Sequence, residues 1–235
     1  MFYIPGLSGK SDLGTIVTLD GVESGHCARV LRLNTGDILQ ITNGEGWLFE
    51  GHLVDNNAKA CKIRIDAKNF VEKNKANIHL AVAPTKNIGR FEWFLEKATE
   101  IGIDEITPLF CLHSERQHLR VDRLNKVITA AVKQSLDAYH PTLHEPVTFR
   151  DFMKNETVSQ KFIAYVDKEL HTPLKEAYKT GSPAIVLIGP EGDFSQNEIE
   201  LAFEKGYQAV SLGTSRLRTE TAAVVACHTL NLMNY

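Results

Sequence analysis

The stretch Ala184-Ile185-Val186-Leu187-Ile188-Gly189-Pro190-Glu191-Gly192 decides the fold of this chain. Its first five residues are all apolar, which is typical of a strand covered on both faces. The next four form a tight turn that exposes backbone N–H and C=O groups. Because strands covered on both faces belong mainly to parallel sheets, the sequence predicts an α/β domain around this strand.

Strands and helices are expected to alternate on both sides of this stretch, from about residue 77 to residue 235. The other predicted strands are Ile78–Ala83, Ile103–Phe110, Phe162–Val166 and Val210–Leu212. The predicted helices are Phe91–Ile101 (ended by Gly102), Leu124–Leu136, Ser195–Gly206 (begun by a capping box with Glu198) and an Ala-rich helix from about Thr219. Five such βα units predict a mainly parallel sheet.

Residues 1–70 have a different pattern, that of short strands joined by tight turns. Gly36–Thr42 runs into Asn43-Gly44, a strong hairpin signal, and Trp47–Val54 is the expected return strand. Cys61, Ile63 and Ile65 alternate with charged residues at period two. The sequence therefore predicts a small β-barrel in residues 1–70, a linker over Lys68–Lys75 and a second domain in residues 77–235.

Composition limits the classes of function. The chain has 235 residues, with 26 Lys+Arg against 29 Asp+Glu, so its formal charge is 26 − 29 = −3. This balance argues against nucleic-acid binding through bulk charge, but it allows a local patch. Residues 113–133 contain five basic residues: Arg116, Arg120, Arg123, Lys126 and Lys133. They suit such a patch, although Arg123 and Lys126 equally suit the solvent-exposed face of the long helix.

The N-terminus and the cysteines point to a cytoplasmic protein. No signal peptide follows Met1, and no apolar run is long enough to span a membrane. The four cysteines are far apart and form no CxxC pair, so reduced thiols are expected. His140 and His144 are four residues apart, but Pro141 lies between them and no cysteine pair accompanies them, so no metal site is expected.

Chemistry is expected at the carboxyl ends of the parallel strands, where such sheets bind ligands. Three segments lie there: Gly189–Gly192, Gly213–Ala222 and Pro84–Lys86. No GxGxxG or Walker A lysine is present, which disfavours a dinucleotide or NTP site. Gly189–Gly192 on its own suits either a ligand loop or a structural turn. In Gly213–Ala222, Thr219 is placed to cap the last helix, and Arg216 and Arg218, two residues apart, are not expected to share a face.

Together, two motifs resemble the RsmE family of SPOUT-class methyltransferases. They are Gly189-Pro190-Glu191-Gly192-Asp193-Phe194-Ser195 and Leu212-Gly213-Thr214-Ser215-Arg216-Leu217-Arg218-Thr219-Glu220-Thr221-Ala222. Further matches cover nearly the whole chain: His26, Val30–Arg32, Gly36-Asp37, Lys86, Lys97, Thr99-Glu100, Gly102, Ser114–Arg116 and Gln134-Ser135. The sequence departs from the family pattern at Asp193, where a glycine is usual, and at Asp137, near a usual arginine.

The resemblance implies a PUA-like small β-barrel followed by a SPOUT α/β-knot domain with a deep trefoil knot. It implies an S-adenosylmethionine-dependent enzyme that forms 3-methyluridine in 16S ribosomal RNA. By the same resemblance the catalytic candidates are Arg218, Arg216 and Glu220, and Glu220 either acts as a base or orients an arginine. The implied cofactor-binding residues are Leu187, Gly189, Pro190, Glu191, Gly192, Leu212, Gly213, Leu217, Arg218, Thr219, Thr221 and Ala222.

The expected partners are 16S ribosomal RNA or the small ribosomal subunit, and a second copy of the chain in a homodimer. The candidate RNA-binding residues are Arg29, Arg32, Lys86, Arg116 and Arg120. Two alternatives stay open. One is a non-catalytic RNA-binding factor in ribosome assembly, and the other is a SPOUT methyltransferase for a different RNA site.

Overall fold

The computed structural model describes residues 1–73, 76–154, 160–165 and 172–235. They form two compact units. The first is Met1–Lys73 with Val132–His140, and the second comprises the described residues of Asn74–Ala131 and Pro141–Tyr235. The predicted domains, 1–70 and 77–235, did not include the return of Val132–His140 to the first unit. Among these described parts, no helix combines the length and apolarity that a membrane crossing needs.

The first unit is built on a five-stranded sheet with the strand order β1-β3-β4-β5-β2. A short helix, α1 (Gly21–Gly25), and a π-helical turn (His26–Val30) lie between β2 and β3 in sequence. Ile41, Leu53, Ile63 and Ile65 are fully buried in its core, which confirms the period-two pattern. The strands are β1 Phe2–Tyr3, β2 Ile16–Thr18, β3 Ile38–Thr42, β4 Trp47–Asp55 and β5 Lys62–Phe70.

Of two local predictions for this unit, the turn between Thr42 and Trp47 is confirmed and the linker is wrong in part. The turn after β3 has four residues, 43–46, because the Asn43 side chain accepts from the N–H groups of Glu45 (2.8 Å) and Trp47 (3.2 Å). The predicted linker is wrong at its start, since Lys68–Phe70 belongs to β5 and pairs with β4. Asn74 and Lys75, at the end of that linker, lie outside the described residues.

The second unit holds a parallel sheet with the strand order β12-β10-β11-β6-β7-β8, and β9 pairs with β7. The predicted central strand is β11, which lies between β10 and β6 and is buried along its whole length. This confirms the α/β prediction. The strands are β6 Ile78–Val82, β7 Glu105–Phe110, β8 Thr142–Leu143, β9 Val147–Thr148, β10 Gln160–Ala164, β11 Ala184–Ile188 and β12 Gln208–Val210.

Several predicted strand ends differ by one or two residues from the observed ones. One predicted end, Val166, lies outside the described residues. Extending the last strand to Leu212 was wrong, because β12 ends at Val210. Ser211 then pairs with another segment: its N–H donates to the Thr172 carbonyl (2.9 Å), and its carbonyl accepts from Leu174 (2.9 Å).

The helices begin and end close to their sequence signals. Gly102 caps α2 with φ +104°, and Ser195 and Glu198 form the expected capping box of α6. α6 ends at Glu204, slightly before the predicted Gly206. The helices after α1 are α2 Ile88–Ile101, α3 Val121–Ser135, α4 Phe149–Phe152, α5 Leu174–Ala177, α6 Gln196–Glu204 and α7 Thr219–Leu232.

Candidate active site

A cavity of about 1030 Å³ lies at the carboxyl ends of β10, β11 and β12. The sequence places chemistry at this end of a parallel sheet, since each strand there runs into a loop. Two long segments form most of the wall, the loop after β11 and the loop that joins β12 to α7. The lining residues are Ala164-Tyr165, Pro173–Lys175, Ile188–Glu191, Asp193, Val210–Thr219, Ala222 and Thr229.

The loop between β12 and α7 presents backbone donors to the cavity. Among the residues that the structure describes, the N–H groups of residues 212–218 donate to no backbone carbonyl. The first hydrogen bond of α7 is the one from Ala222 N–H to the Arg218 carbonyl (2.8 Å). Gly213 has φ +135°, a conformation that side chains with a Cβ rarely adopt. The loop thus offers a polar edge made from main chain.

The two walls are joined by Thr219. Its hydroxyl donates to the Gly189 carbonyl (3.0 Å), and the residue is 6% exposed. The expectation that Thr219 caps α7 was therefore wrong, since the N-cap is Arg218 and no side-chain bond caps the helix. Gly189 is tightly enclosed, because an added Cβ would lie 3.1 Å from the Phe194 ring and would require that ring to shift.

The loop after β11 is also tied to the loop after β6. The Lys86 N–H donates to Glu191 Oε1 (3.0 Å), and the Lys86 ammonium pairs with Glu115 (2.7 Å). Arg116 donates to the carbonyls of Thr85 (3.2 Å) and Lys86 (2.7 Å). Two predicted RNA-binding side chains thus already hold this loop in place, and the hydrogen bond with Glu115 raises the pKa of Lys86.

A third set of contacts fixes the turn itself. His113 Nδ1 lies 3.0 Å from the Asp193 carbonyl, and a Cβ at Gly192 would meet the His113 side chain at 3.0 Å. Asp193 takes a left-handed conformation (φ +62°), and its carboxylate accepts from the Phe194 N–H (2.8 Å). This explains how Asp193 stands where the resembling family usually has glycine, since aspartate tolerates this region better than most residues.

The three predicted catalytic side chains occupy two different environments. Arg216 and Arg218 are exposed, and both are among the residues that line the cavity, as is Leu217 between them. That the two arginine side chains do not share a face stays a prediction. Glu220 is 8% exposed and does not line the cavity. Its Oε1 lies 3.7 Å from Arg90 Nε, at the N-terminus of α7, where a negative charge is favoured.

Most of the predicted cofactor-binding residues meet at the cavity. Nine of the twelve line it: Gly189, Pro190, Glu191, Leu212, Gly213, Leu217, Arg218, Thr219 and Ala222. Leu187 is instead buried in the sheet, and Gly192 and Thr221 are not among the lining residues. Sequence reasoning missed Tyr165, Lys175 and Arg90. Tyr165 had a usable signal, since it directly follows the carboxyl end of β10.

The remaining RNA-binding candidates are on the surface. Arg29 and Arg32 are exposed in the first unit, and Arg120 is exposed directly before α3 in the second. In the basic segment 113–133, Arg123 pairs with Glu92 (3.0 Å), and Lys133 pairs with Glu23 (2.7 Å). Arg120 and Lys126 form no ion pair among the described residues.

Two family models match the chain and together define its class, an RNA methyltransferase domain joined to a PUA domain. A family model described as the RNA methyltransferase domain matches residues 72–231. A second one, the RNA methyltransferase PUA domain, matches residues 19–66.

Similar proteins narrow the class. "Ribosomal RNA small subunit methyltransferase E" from Synechocystis sp. is 31% identical over 228 residues, covering 92% of this chain and 73% of that protein. The crystal structure of a probable rRNA-methyltransferase from Porphyromonas gingivalis is 38% identical, with a TM-score of 0.86 and 98% coverage of both chains. The Neisseria gonorrhoeae methyltransferase E bound to S-adenosylmethionine is 26% identical, with a TM-score of 0.86, covering 99% of this chain and 97% of that one.

The chain belongs to the RsmE family, the family of ribosomal RNA small subunit methyltransferase E. The predicted family and its PUA-like and α/β parts are therefore confirmed. The deep trefoil knot stays a prediction.

Proposed function

We propose that this chain is an S-adenosylmethionine-dependent methyltransferase that forms 3-methyluridine in 16S ribosomal RNA. The observation that carries the proposal is the cavity at the carboxyl ends of β10–β12. Its wall combines the backbone of residues 212–218, whose N–H groups donate to no backbone carbonyl of the described residues, with two exposed arginines, Arg216 and Arg218. The Neisseria relative, similar over nearly its whole length, is described as bound to this cofactor.

The residues around the cavity fit S-adenosylmethionine. Its adenine edge needs N–H and C=O groups at fixed positions, and the backbone of residues 212–218 and of Gly189–Glu191 supplies such groups. The volume of about 1030 Å³ suits a ligand of this size. When bound, the cofactor supplies a methyl group that its sulfonium already activates. Thr219 keeps the two walls at a constant separation through its bond to Gly189.

We assign Arg218 and Arg216 to the uracil. Uridine N3 carries a proton and is a poor nucleophile until that proton passes to solvent water. The negative charge left on the ring then spreads onto O2 and O4. A guanidinium pairs well with such an oxygen and stabilises the developing anion. Both arginines are exposed at the cavity, where a base turned out of its stack can reach them.

We assign Glu220 a positioning role, the second of the two options left open by the sequence. Its carboxylate is nearly buried, lies outside the cavity wall and faces Arg90 at 3.7 Å. From this position it fixes the start of α7, and therefore the backbone that carries Arg218.

RNA docking is assigned to five basic residues. Arg29, Arg32 and Arg120 are exposed. Lys86 contributes through its ammonium, since its exposed ion pair with Glu115 costs little to open. Arg116 contributes mainly by shaping the loop beside the cavity, through its two bonds to backbone carbonyls. In this proposal both domains contact the RNA, and residues 77–235 perform the chemistry.

The proposal includes a homodimer that works in the cytoplasm, where ribosomal RNA is found. Trp93 on α2 and Leu232 on α7 are 44% and 59% exposed, and apolar side chains of this kind suit a contact between copies. Light scattering on the purified chain should give twice the 26.2 kDa chain mass. A mass of one chain at micromolar concentration would contradict the dimer.

The function is tested by methyl transfer in vitro. The purified chain is incubated with S-adenosylmethionine carrying a deuterated methyl group and with small subunits from cells that lack its gene. We expect one deuterated 3-methyluridine per 16S RNA, found by nucleoside mass spectrometry. Labelled methyl at another nucleoside would favour a different RNA site. No label, together with no cofactor binding in calorimetry, would favour the assembly-factor alternative.

A further inference from the structure

Two histidines and a glutamate come together at the amino ends of the parallel strands, the end opposite to the cavity. His79 is the second residue of β6, Glu105 is the first of β7, and the two are paired in the sheet register. His144 directly follows β8, the strand next to β7. Their ligand-type atoms all lie within 4.8 Å of one another.

The residues around this cluster hold it in place. Glu105 Oε2 lies 2.7 Å from His144 Nε2, and its other oxygen accepts from the Asn77 amide (2.6 Å). His79 Nε2 lies 2.8 Å from the Thr107 hydroxyl. Second partners that orient imidazole and carboxylate groups in this way accompany most metal ligands in proteins.

The donor types suit a cation. The three side chains supply two imidazoles and one carboxylate. Neutral imidazole and carboxylate are the forms that bind transition metals.

The cluster is also accessible and close to the right size. The side chains of His144 and Glu105 are 40% and 30% exposed, which gives an ion a route from solvent. Two ligands about 2.0 Å from a tetrahedral ion lie about 3.3 Å apart. To admit the ion, the 2.7 Å contact must therefore widen slightly, and any separation near the 4.8 Å limit must shrink by about 1.5 Å.

We propose that His79, Glu105 and His144 bind one divalent transition-metal ion of the Zn²⁺ type. Two imidazoles and one carboxylate are a common zinc ligand set, with water in the fourth position. The ion would join β6, β7 and the segment after β8. This departs from the expectation of no metal site, and it uses His144 without His140. The proposal is independent of the proposed function, since the site lies at the other end of the strands.

The test measures zinc per chain. The full-length protein is stripped with a chelator, equilibrated with Zn²⁺ at ten times the protein concentration, passed over a desalting column and analysed for metal. We expect one Zn²⁺ per wild-type chain. His144→Ala and Glu105→Gln should each lose at least tenfold in affinity. Thr107→Val removes only the hydroxyl that lies beside His79 Nε2, and it should lower the affinity for zinc by about 10–100-fold.

A matched control comes from another histidine–carboxylate pair. His52 lies 2.6 Å from Asp66 in the first unit, so His52→Ala removes a similar pair and should leave zinc binding unchanged. Circular dichroism confirms that each variant is folded. Co²⁺ in place of Zn²⁺ should give the visible absorption of a four-coordinate ion in the wild type and not in His144→Ala. No retained zinc in the wild type, or equal losses in His144→Ala and His52→Ala, would overturn the proposal.

Discussion

The Thr219 hydroxyl donates to the Gly189 carbonyl and so connects the two walls of the cavity. Thr219→Val removes this hydrogen bond with little change in the shape of the side chain. A hydrogen bond of this kind contributes about 0.5–1.5 kcal/mol, and leaving the buried Gly189 carbonyl unpaired costs about 1–3 kcal/mol. With Thr219 only 6% exposed, water cannot easily replace the lost partner. If the substitution destabilises the cofactor-bound form by about 1.4 kcal/mol more than the free form, the Kd for S-adenosylmethionine rises about tenfold.

The assay is calorimetry with S-adenosylmethionine on the wild type, Thr219→Val and Thr219→Ser. Thr219→Ser keeps the hydroxyl. Its Kd for S-adenosylmethionine should therefore lie within about threefold of the wild-type value. Thr129→Val is the matched control, because the Thr129 hydroxyl bonds the Asn125 carbonyl within α3 (2.9 Å), away from the cavity. Wild-type affinity in a folded Thr219→Val protein would refute the idea that this contact positions the cavity walls.

Three other predictions concern the site and the surface. Arg218→Ala should reduce methyl transfer far more than RNA affinity, and equal losses would make Arg218 a binding residue. Asp193→Gly should raise the free energy of unfolding by about 0.5–1 kcal/mol in urea denaturation, because glycine tolerates φ +62° at no steric cost. A decrease would show that the hydrogen bond from the Phe194 N–H to the Asp193 carboxylate outweighs the backbone strain. The three exposed arginines Arg29, Arg32 and Arg120 predict that affinity for short single-stranded RNA, measured by fluorescence anisotropy, depends only weakly on salt. The logarithm of the binding constant should fall with the logarithm of salt concentration with a slope of about −2. A slope steeper than about −5 would require a larger basic surface.

Local signals in the sequence were enough to predict the framework of the second unit. The apolar run of β11, the capping box at Ser195 and the glycine after α2 each act within a few residues. The ends of β12 and β5 were harder to predict, because Ser211 and Lys68–Phe70 pair with segments far away in sequence. Pairing of this kind depends on the tertiary fold and leaves no periodic signal.

The residues of the site were predicted better than their roles. The two motifs brought nine cofactor candidates to one cavity. The sequence could not show that Arg116 holds backbone carbonyls, that Thr219 bonds Gly189, or that Glu220 faces Arg90. Each of these contacts joins residues at least 30 positions apart, so spacing alone did not reveal them.

The structure explains why Asp137 stands near a position where the family usually has arginine. Its carboxylate accepts from the Tyr139 N–H (3.0 Å), and its own N–H donates to the Val132 carbonyl (3.1 Å). The preceding residue, Leu136, takes a left-handed conformation (φ +59°) at the end of α3. Asp137 therefore shapes the turn after this helix, a role that an arginine side chain, having no acceptor, could not fill.

The central claim is that this chain makes 3-methyluridine in 16S ribosomal RNA, and nucleoside mapping in cells tests it most directly. The 16S RNA of cells lacking the gene is digested and analysed by mass spectrometry, with cells expressing the wild type or Arg218→Ala for comparison. We predict that 3-methyluridine disappears in the deletion, returns with the wild type and does not return with Arg218→Ala. Full levels of 3-methyluridine in the deletion strain would contradict the claim.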